Sequence, residues 1–287
     1  LKNDDWSPRV SIEREYRISI RNIIRDVLNK ISGMTDLTNP YEIVTSMHDL
    51  FSEEIVRDYA LAAARRMITG LYIGNRRTWR EAAREAMRGR EIYEMLQAEM
   101  TGPVGDRVRE LIEQNADLIT SFPLDIAKRA NSFIREEAEK GRRASAIADD
   151  LIEQFPDMAE SRINLIARTE TSKASTALTR ARSEELGTVA YVWRSSKDAR
   201  VRRSHRRMDG VIVLWNDPPS PEELDREKRS YGRYHAGDTF NCRCFPVPLL
   251  RLDRIQWPAR VHVDGEIRRM TRHGFESLAG GAYAAAA

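Results

Sequence analysis

From about residue 11 to 186, apolar side chains recur at intervals of three and four, the spacing that gathers them on one face of an α-helix. Ile12, Tyr16, Ile20, Ile23, Val27 and Ile31 draw the first stripe, on a helix predicted to stop near Gly33. Asn39-Pro40 reads as an N-cap followed by proline in the first turn, where a missing N–H is no loss, and opens a helix predicted to run to about Thr69. A third, from about Arg77, carries Trp79, Ala83, Met87, Ile92, Met95 and Leu96 and ends before Gly102-Pro103. Val104, Val108, Leu111, Ile112 and Leu118 mark a fourth; Pro123 opens a fifth, through Ile126, Ala130 and Phe133 to Gly141. Two more are predicted near 143–155 and 158–186, the last closed by Gly187. Leu-Ile-Glu-Gln occurs at 111–114 and again at 151–154, but the flanks differ and there is no third copy, so a repeat array is not indicated.

After Gly187 the period changes. Val189, Tyr191 and Trp193 alternate with Ala190, Val192 and Arg194, predicting a strand, and Val211-Ile212-Val213-Leu214-Trp215 predicts a second. Asn216-Asp217-Pro218-Pro219-Ser220-Pro221 breaks regular structure and opens a long exposed loop to Gly237, with a short helix at 221–229. A last strand is expected around Cys244-Phe245-Pro246-Val247, where two nearby prolines confine it to a sheet edge, and Asp264-Gly265 reads as a turn. The fold class is therefore α+β: a mostly helical N-terminal region followed by a small α+β domain with a few short strands. The expected division is a helical region at 1–157, an α+β domain at 158–250 and a C-terminal extension at 251–287.

Length and composition narrow the class. At 287 residues, with 41% hydrophobic and 32% charged residues, the chain suits two ordinary globular domains. No apolar run of membrane-spanning length occurs. The opening Leu1-Lys2-Asn3-Asp4-Asp5 has neither an initiator Met nor an apolar signal core, which reads as a processed product or one missing its start. Lys accounts for only seven of the 47 cations, leaving the rest to Arg, whose forked donors suit phosphate or a crowded protein interface; a GC-rich coding sequence with ordinary solvated Arg explains the bias equally. Cys242 and Cys244, the two cysteines, are too close in sequence for an ordinary structural disulfide and fit a reducing compartment or a metal.

One constellation carries more. The run from Trp193 through Asp198-Ala199-Arg200-Val201-Arg202-Arg203-Ser204-His205 is followed by Met208-Asp209-Gly210 and Asn241-Cys242-Arg243-Cys244-Phe245-Pro246. With Ala167-Arg168-Thr169-Glu170 upstream, its order and spacing over roughly 160–248 resemble the phage Mu F-like minor head protein family. The resemblance implies a low-copy protein of the capsid interior, needed for head morphogenesis and placed near the portal. Relatives in that family often place cysteines where this chain has Arg202 and His205.

Read for chemistry, Cys242, Cys244, His205 and His235 supply two thiolates and two imidazoles, the donor set of a closed tetrahedral zinc site. The alternative is that His205 and the thiols close a small hydrogen-bonded core joining the loop to the last strand, with no cofactor. Asp198, Arg200 and Asp209 read as loop braces rather than as a catalytic set, and Gly210 as a tight turn into the second strand. Residues 194–210 hold seven cations, Arg194, Lys197, Arg200, Arg202, Arg203, Arg206 and Arg207, against Asp198 and Asp209. That excess suits non-specific contact with DNA phosphates, or an acidic surface on a partner.

The expected function is thus structural rather than enzymatic. The chain reads as a minor capsid protein of the virion, inside the head and in the host cytoplasm during assembly, with the portal protein, the major capsid or scaffolding protein and packaged DNA as partners, and no membrane. The rival reading is a metal-dependent nuclease acting on phage or host DNA, since His205, His235 and Asn241 loosely resemble a His-Asn-His site, although the order and spacing differ from the usual arrangement.

Overall fold

The computed structural model of the chain describes residues 2–32, 39–86 and 88–280. Helices fill the N-terminal two-thirds: α1 (Val10–Ser32), α2 (Pro40–Phe51), α3 (Glu54–Glu85), α4 (Gly89–Ala98), α5 (Pro103–Thr120), α6 (Phe122–Glu139) and α7 (Ala144–Glu185). Then come β1 (Ala190–Arg194), α8 (Arg203–Met208), β2 (Ile212–Leu214), α9 (Pro221–Leu224), β3 (Phe245–Pro248), β4 (Ala259–Val263), β5 (Glu266–Met270) and α10 (Arg272–Leu278). The α+β class expected from the pattern is the class observed. No described helix is long and apolar enough to cross a membrane. The predicted stop at Gly33 and the position of Met87 lie outside the described residues.

Four helix boundaries depart from the periodicity, one of them a division of the helix expected from Arg77 to Gly102, where α3 ends at Glu85 and α4 starts at Gly89. The helix opened by Asn39, whose side chain accepts the N–H of Tyr41, ends at Phe51 rather than near Thr69. Ser52 turns its hydroxyl back onto the carbonyl of His48, 2.9 Å away, and a new helix starts as Glu53 accepts the N–H of Val56. That helix, α3, continues through Gly70 and Gly74 past the expected start at Arg77. Each glycine disfavours helix by about 1 kcal/mol, but the buried stripe Ala60, Ala64, Met67, Leu71, Trp79 continues across them and tertiary burial wins. Finally, the helices expected at 143–155 and 158–186 are one, α7, with Pro156 inside it. Pro156 lies on an exposed stretch, where water can satisfy the carbonyl that proline leaves unbonded.

The chain forms two compact units: Ser11–Ile68 with Glu110–Ala167, and Leu1–Val10 with Thr69–Arg109 and Arg168–Ala287. The first is all helical. Ile20, Ile24, Val27, Ile43, Met47 and Leu50 are buried in it, Phe51 stacks on Phe122, and the buried Tyr16 hydroxyl donates to Asn115 Oδ1 at 3.0 Å. Arg21 grips Glu160 through two nitrogens at its edge.

The second unit carries a five-stranded sheet in the order β3-β1-β2-β4-β5. β1 is antiparallel to both β2 and β3, while β2 and β4 are parallel and β4–β5 is an antiparallel hairpin. The proline-bearing β3 sits at the edge, where absent N–H groups leave no gap in a ladder. The Asp264-Gly265 turn joins β4 to β5 with both residues at positive φ, 51° and 76°; this is the hairpin turn whose twist matches its strands. The sequence pattern had marked that turn without the strands on either side. Alternation along β1 feeds two cores. Ala190 and Val192 pack with Ile212, Leu214, Val261 and Phe275 on one face, and Tyr191 and Trp193 pack with Val213, Trp215, Tyr234, Cys242 and Cys244 on the other. The candidate site lies on this second face.

Candidate functional site

The connection between β1 and β2 is braced at its base. Asp209 Oδ1 accepts the Ser195 N–H at 2.8 Å, and the Gly210 N–H donates to the Trp193 carbonyl at 2.8 Å. Gly210 sits at φ +79°, a conformation that glycine adopts without strain. Asp198 accepts the Arg200 N–H and the Ser196 hydroxyl and pairs with Arg243 at 2.8 Å. Burial pushes the Asp198 carboxyl up, but those hydrogen bonds and the nearby Arg243 and Arg200 outweigh it and hold the carboxyl below its ordinary value. Both carboxylates are thus occupied in shaping the loop.

α8 follows in this loop and places His205 beneath Trp193, edge to face with ring centroids 5.7 Å apart. The segment carrying the cysteines is fixed from α7: Thr169 accepts the Asn241 N–H at 3.0 Å, and the Thr176 hydroxyl donates to the Ala236 carbonyl at 2.7 Å. Cys242 and Cys244 are both buried and free, and their sulfurs lie 3.4 and 3.5 Å from the same atom, His205 Nδ1. The donor atoms of these three residues all fall within 4.8 Å of one another. The bond from Cys244, with His205 alongside, holds the Cys242 thiol well below its usual range; the same pairing with Cys242, with burial, drives Cys244 the other way.

On its far side, His205 Nε2 lies 2.9 Å from the Tyr234 hydroxyl, which donates to Glu222 Oε1 at 2.5 Å. Glu222 is fully buried on the one-turn α9, and its other oxygen has no partner among the described residues. Burial and the adjacent Glu222 push the Tyr234 hydroxyl far up, so it stays a proton donor. Periodicity marks neither residue, because both lie in the irregular 216–237 stretch; the proline at the start of α9 is the one local sign of order there.

The fourth ligand expected from sequence is placed elsewhere. His235 Nδ1 lies 3.2 Å from the Tyr191 hydroxyl, and its ring meets Trp215 at 5.1 Å between centroids. Burial, with Arg180 nearby, lowers its pKa to about 4, so it is neutral near pH 7. His205 and Asn241 line one cleft of about 320 Å³, whereas His235 is not part of that lining.

The cleft opens over the three donors. Arg168, Arg200, Arg202 and Arg243 line it with Asp198. Arg202 is held over the Phe240 ring, 4.4 Å from its centroid, while its guanidinium donates to the Phe240 carbonyl. The remaining cations of the loop divide. Arg203 and Arg207 both pair with Asp225 at 3.1 Å, and Asp225 is a residue the sequence pattern does not single out. Arg194 is half-buried at the end of β1, whereas Lys197, Arg200 and Arg206 are exposed and form no ion pair among the described residues.

Comparison with known proteins matches this region. Residues 130–247 fit the family model described as Phage Mu protein F like protein. An uncharacterized protein of Haemophilus influenzae is 33% identical over 150 residues, which make up 51% of this chain and 30% of that protein. The aligned part thus spans under a third of that relative's length. No solved structure matches. The family interval takes in the Thr169 anchor on α7, the braced loop with His205, and the Cys242-Arg243-Cys244 segment. Over residues 130–247, the chain is similar to the family described as Phage Mu protein F like protein.

Proposed function

We propose that the chain acts as a phage head morphogenesis protein, a minor capsid component of the head interior. The observation that carries this reading is the family match over 130–247, the interval that holds the whole braced loop and cleft. In this reading the helical region at 1–157 docks on the portal or on major capsid or scaffolding subunits, and the 158–250 domain faces packaged DNA. Two features support an assembly role over turnover. Asp198, although it lines the cleft, and Asp209 are each engaged by a backbone N–H, and Asp198 also by Arg243, so both carboxylates are occupied in shaping the loop. Lys197, Arg200 and Arg206 remain exposed and form no ion pair among the described residues, which suits non-specific phosphate contacts.

The test is co-expression of the full chain with the portal protein of the same phage genome, followed by affinity purification through a salt wash. Retention of both chains in a fixed ratio is expected. A monodisperse chain that leaves the portal protein behind, together with divalent-dependent nicking of plasmid that His205→Ala abolishes, would replace this reading with the nuclease.

A further inference from the structure

We propose that His205, Cys242 and Cys244 hold one zinc ion, with the fourth coordination position open to the arginine-lined cleft. The site is therefore not the four-ligand closed centre that the residue types suggest, because His235 is engaged with Tyr191 and Trp215.

The proton arrangement comes first. The Tyr234 hydroxyl has one proton and gives it to Glu222, so toward His205 it can only accept. His205 Nε2 must then carry the ring proton, and Nδ1 keeps its lone pair. That single lone pair faces two sulfurs at once, at 3.4 and 3.5 Å. One nitrogen lone pair takes one thiol proton, which leaves the second thiol to bond to its neighbouring sulfur. A cation between the three atoms satisfies all of them.

The distances fit zinc. Bonds of about 2.3 Å to sulfur and about 2.0 Å to imidazole nitrogen at tetrahedral angles separate the nitrogen from each sulfur by roughly 3.5 Å. Both nitrogen–sulfur spacings already equal that value, and all three donor atoms lie within 4.8 Å of one another. The donor chemistry agrees, since two thiolates and an imidazole select a soft or borderline cation over calcium or magnesium.

Support from outside the donors agrees as well. A histidine that binds metal through one nitrogen commonly donates its other N–H to a carboxylate, directly or through a neighbour. Here that carboxylate is Glu222, fully buried, with Oε1 3.6 Å from Nε2 and Oε2 unpartnered among the described residues. A buried carboxylate with an orphaned oxygen is unfavourable beside a neutral core and favourable beside a cation. The three donors are each at most 3% exposed, yet all line the cleft, which gives a ligand a way in. Arg200, Arg202 and Arg243 around that opening favour an anionic or water-derived oxygen in the fourth position.

The full chain, purified under reducing conditions, is analysed for metal by mass spectrometry. One zinc per chain is expected in the wild type and in His235→Gln, and none in Cys242→Ser or Cys244→Ser. Because those serine variants can misfold, the wild type is also titrated with an organomercurial, which should release one zinc as it consumes the two thiols. Glu222→Gln should weaken zinc binding by roughly 10- to 100-fold while leaving one site. In the cobalt-substituted protein, thiolate charge-transfer absorption is expected, and azide should shift the ligand-field bands. A chain that purifies metal-free and takes up no zinc on reconstitution overturns the site. Loss of zinc in His235→Gln restores the four-ligand arrangement and overturns this one, as does a cobalt spectrum indifferent to azide.

Discussion

Arg182 Nε and Glu99 Oε2 meet 2.7 Å apart with 0% and 1% of their side chains exposed, an ion pair sealed inside the sheet-bearing unit. Asn75 accepts a second bond from the Arg182 guanidinium, Arg76 reaches the other oxygen of Glu99, and the Arg182 guanidinium lies over the Tyr72 ring. Removing Arg182 leaves the buried Glu99 to the partly exposed Arg76, and breaking a buried pair in this way costs up to about 3–5 kcal/mol. Arg182→Met is therefore expected to lower the denaturant midpoint by that equivalent. Arg182→Met with Glu99→Gln should recover much of it, and urea titration of the single and double variants measures the difference. Equal losses in both would mean that packing rather than charge sets the effect.

Gly237 is placed where a side chain cannot fit. Its φ is +87°, and a Cβ there would lie 2.5 Å from Thr176 Oγ1 and 2.8 Å from the Cys244 carbonyl oxygen. The first atom makes the bond to the Ala236 carbonyl that fixes the segment on α7, and the second belongs to the cysteine segment itself. Gly237→Ala should destabilise the fold by about 1–3 kcal/mol and raise the reactivity of Cys242 and Cys244 toward a thiol reagent. A variant with wild-type melting and thiol protection would show that the loop yields.

His235 makes stability depend on pH. Its folded pKa is about 4 against 6.5 for the free side chain, so between those values the unfolded chain binds the extra proton. Its contribution is complete above 6.5 and falls as pH drops toward 4, by up to about 3 kcal/mol. His235→Gln should flatten the stability profile in this window. His262, also lowered by burial, keeps its own share of the slope. Unchanged profiles would place the acid sensitivity elsewhere.

The loop cations should not be equivalent toward DNA. Arg203 and Arg207 are tied to Asp225, whereas Lys197, Arg200 and Arg206 are exposed and form no ion pair among the described residues. Replacing the latter three with Ala should reduce the slope of log K against log salt by about 2–3, without dependence on DNA sequence. Arg203→Ala should change the slope less. Fluorescence anisotropy on a labelled duplex across a salt series reads both, and equal effects at paired and unpaired positions would remove the loop from the DNA contact.

The sequence by itself determined what depends on local spacing. The three-and-four stripes set the helices, the alternation at 189–193 set β1, and two prolines assigned β3 to an edge, since each of these follows from backbone geometry within one segment. It also marked the site's donors, because cysteine, histidine and the Asp-x-Arg-x-Arg run are uncommon enough to stand out. Tertiary structure alone decided which donors meet. His205 and His235 are the same residue type in the same polar region, yet α8 brings one to the two sulfurs while the Tyr191 hydroxyl and Trp215 ring hold the other. Glu222, Tyr234 and Asp225 carry no periodic signal because loop residues take their roles from partners distant in sequence. Of the boundaries that went astray, Gly70 and Gly74 are places where a propensity of about 1 kcal/mol yields to burial along α3, whereas Ser52 ends a helix through its bond to the His48 carbonyl and Pro156 stays inside one on an exposed stretch.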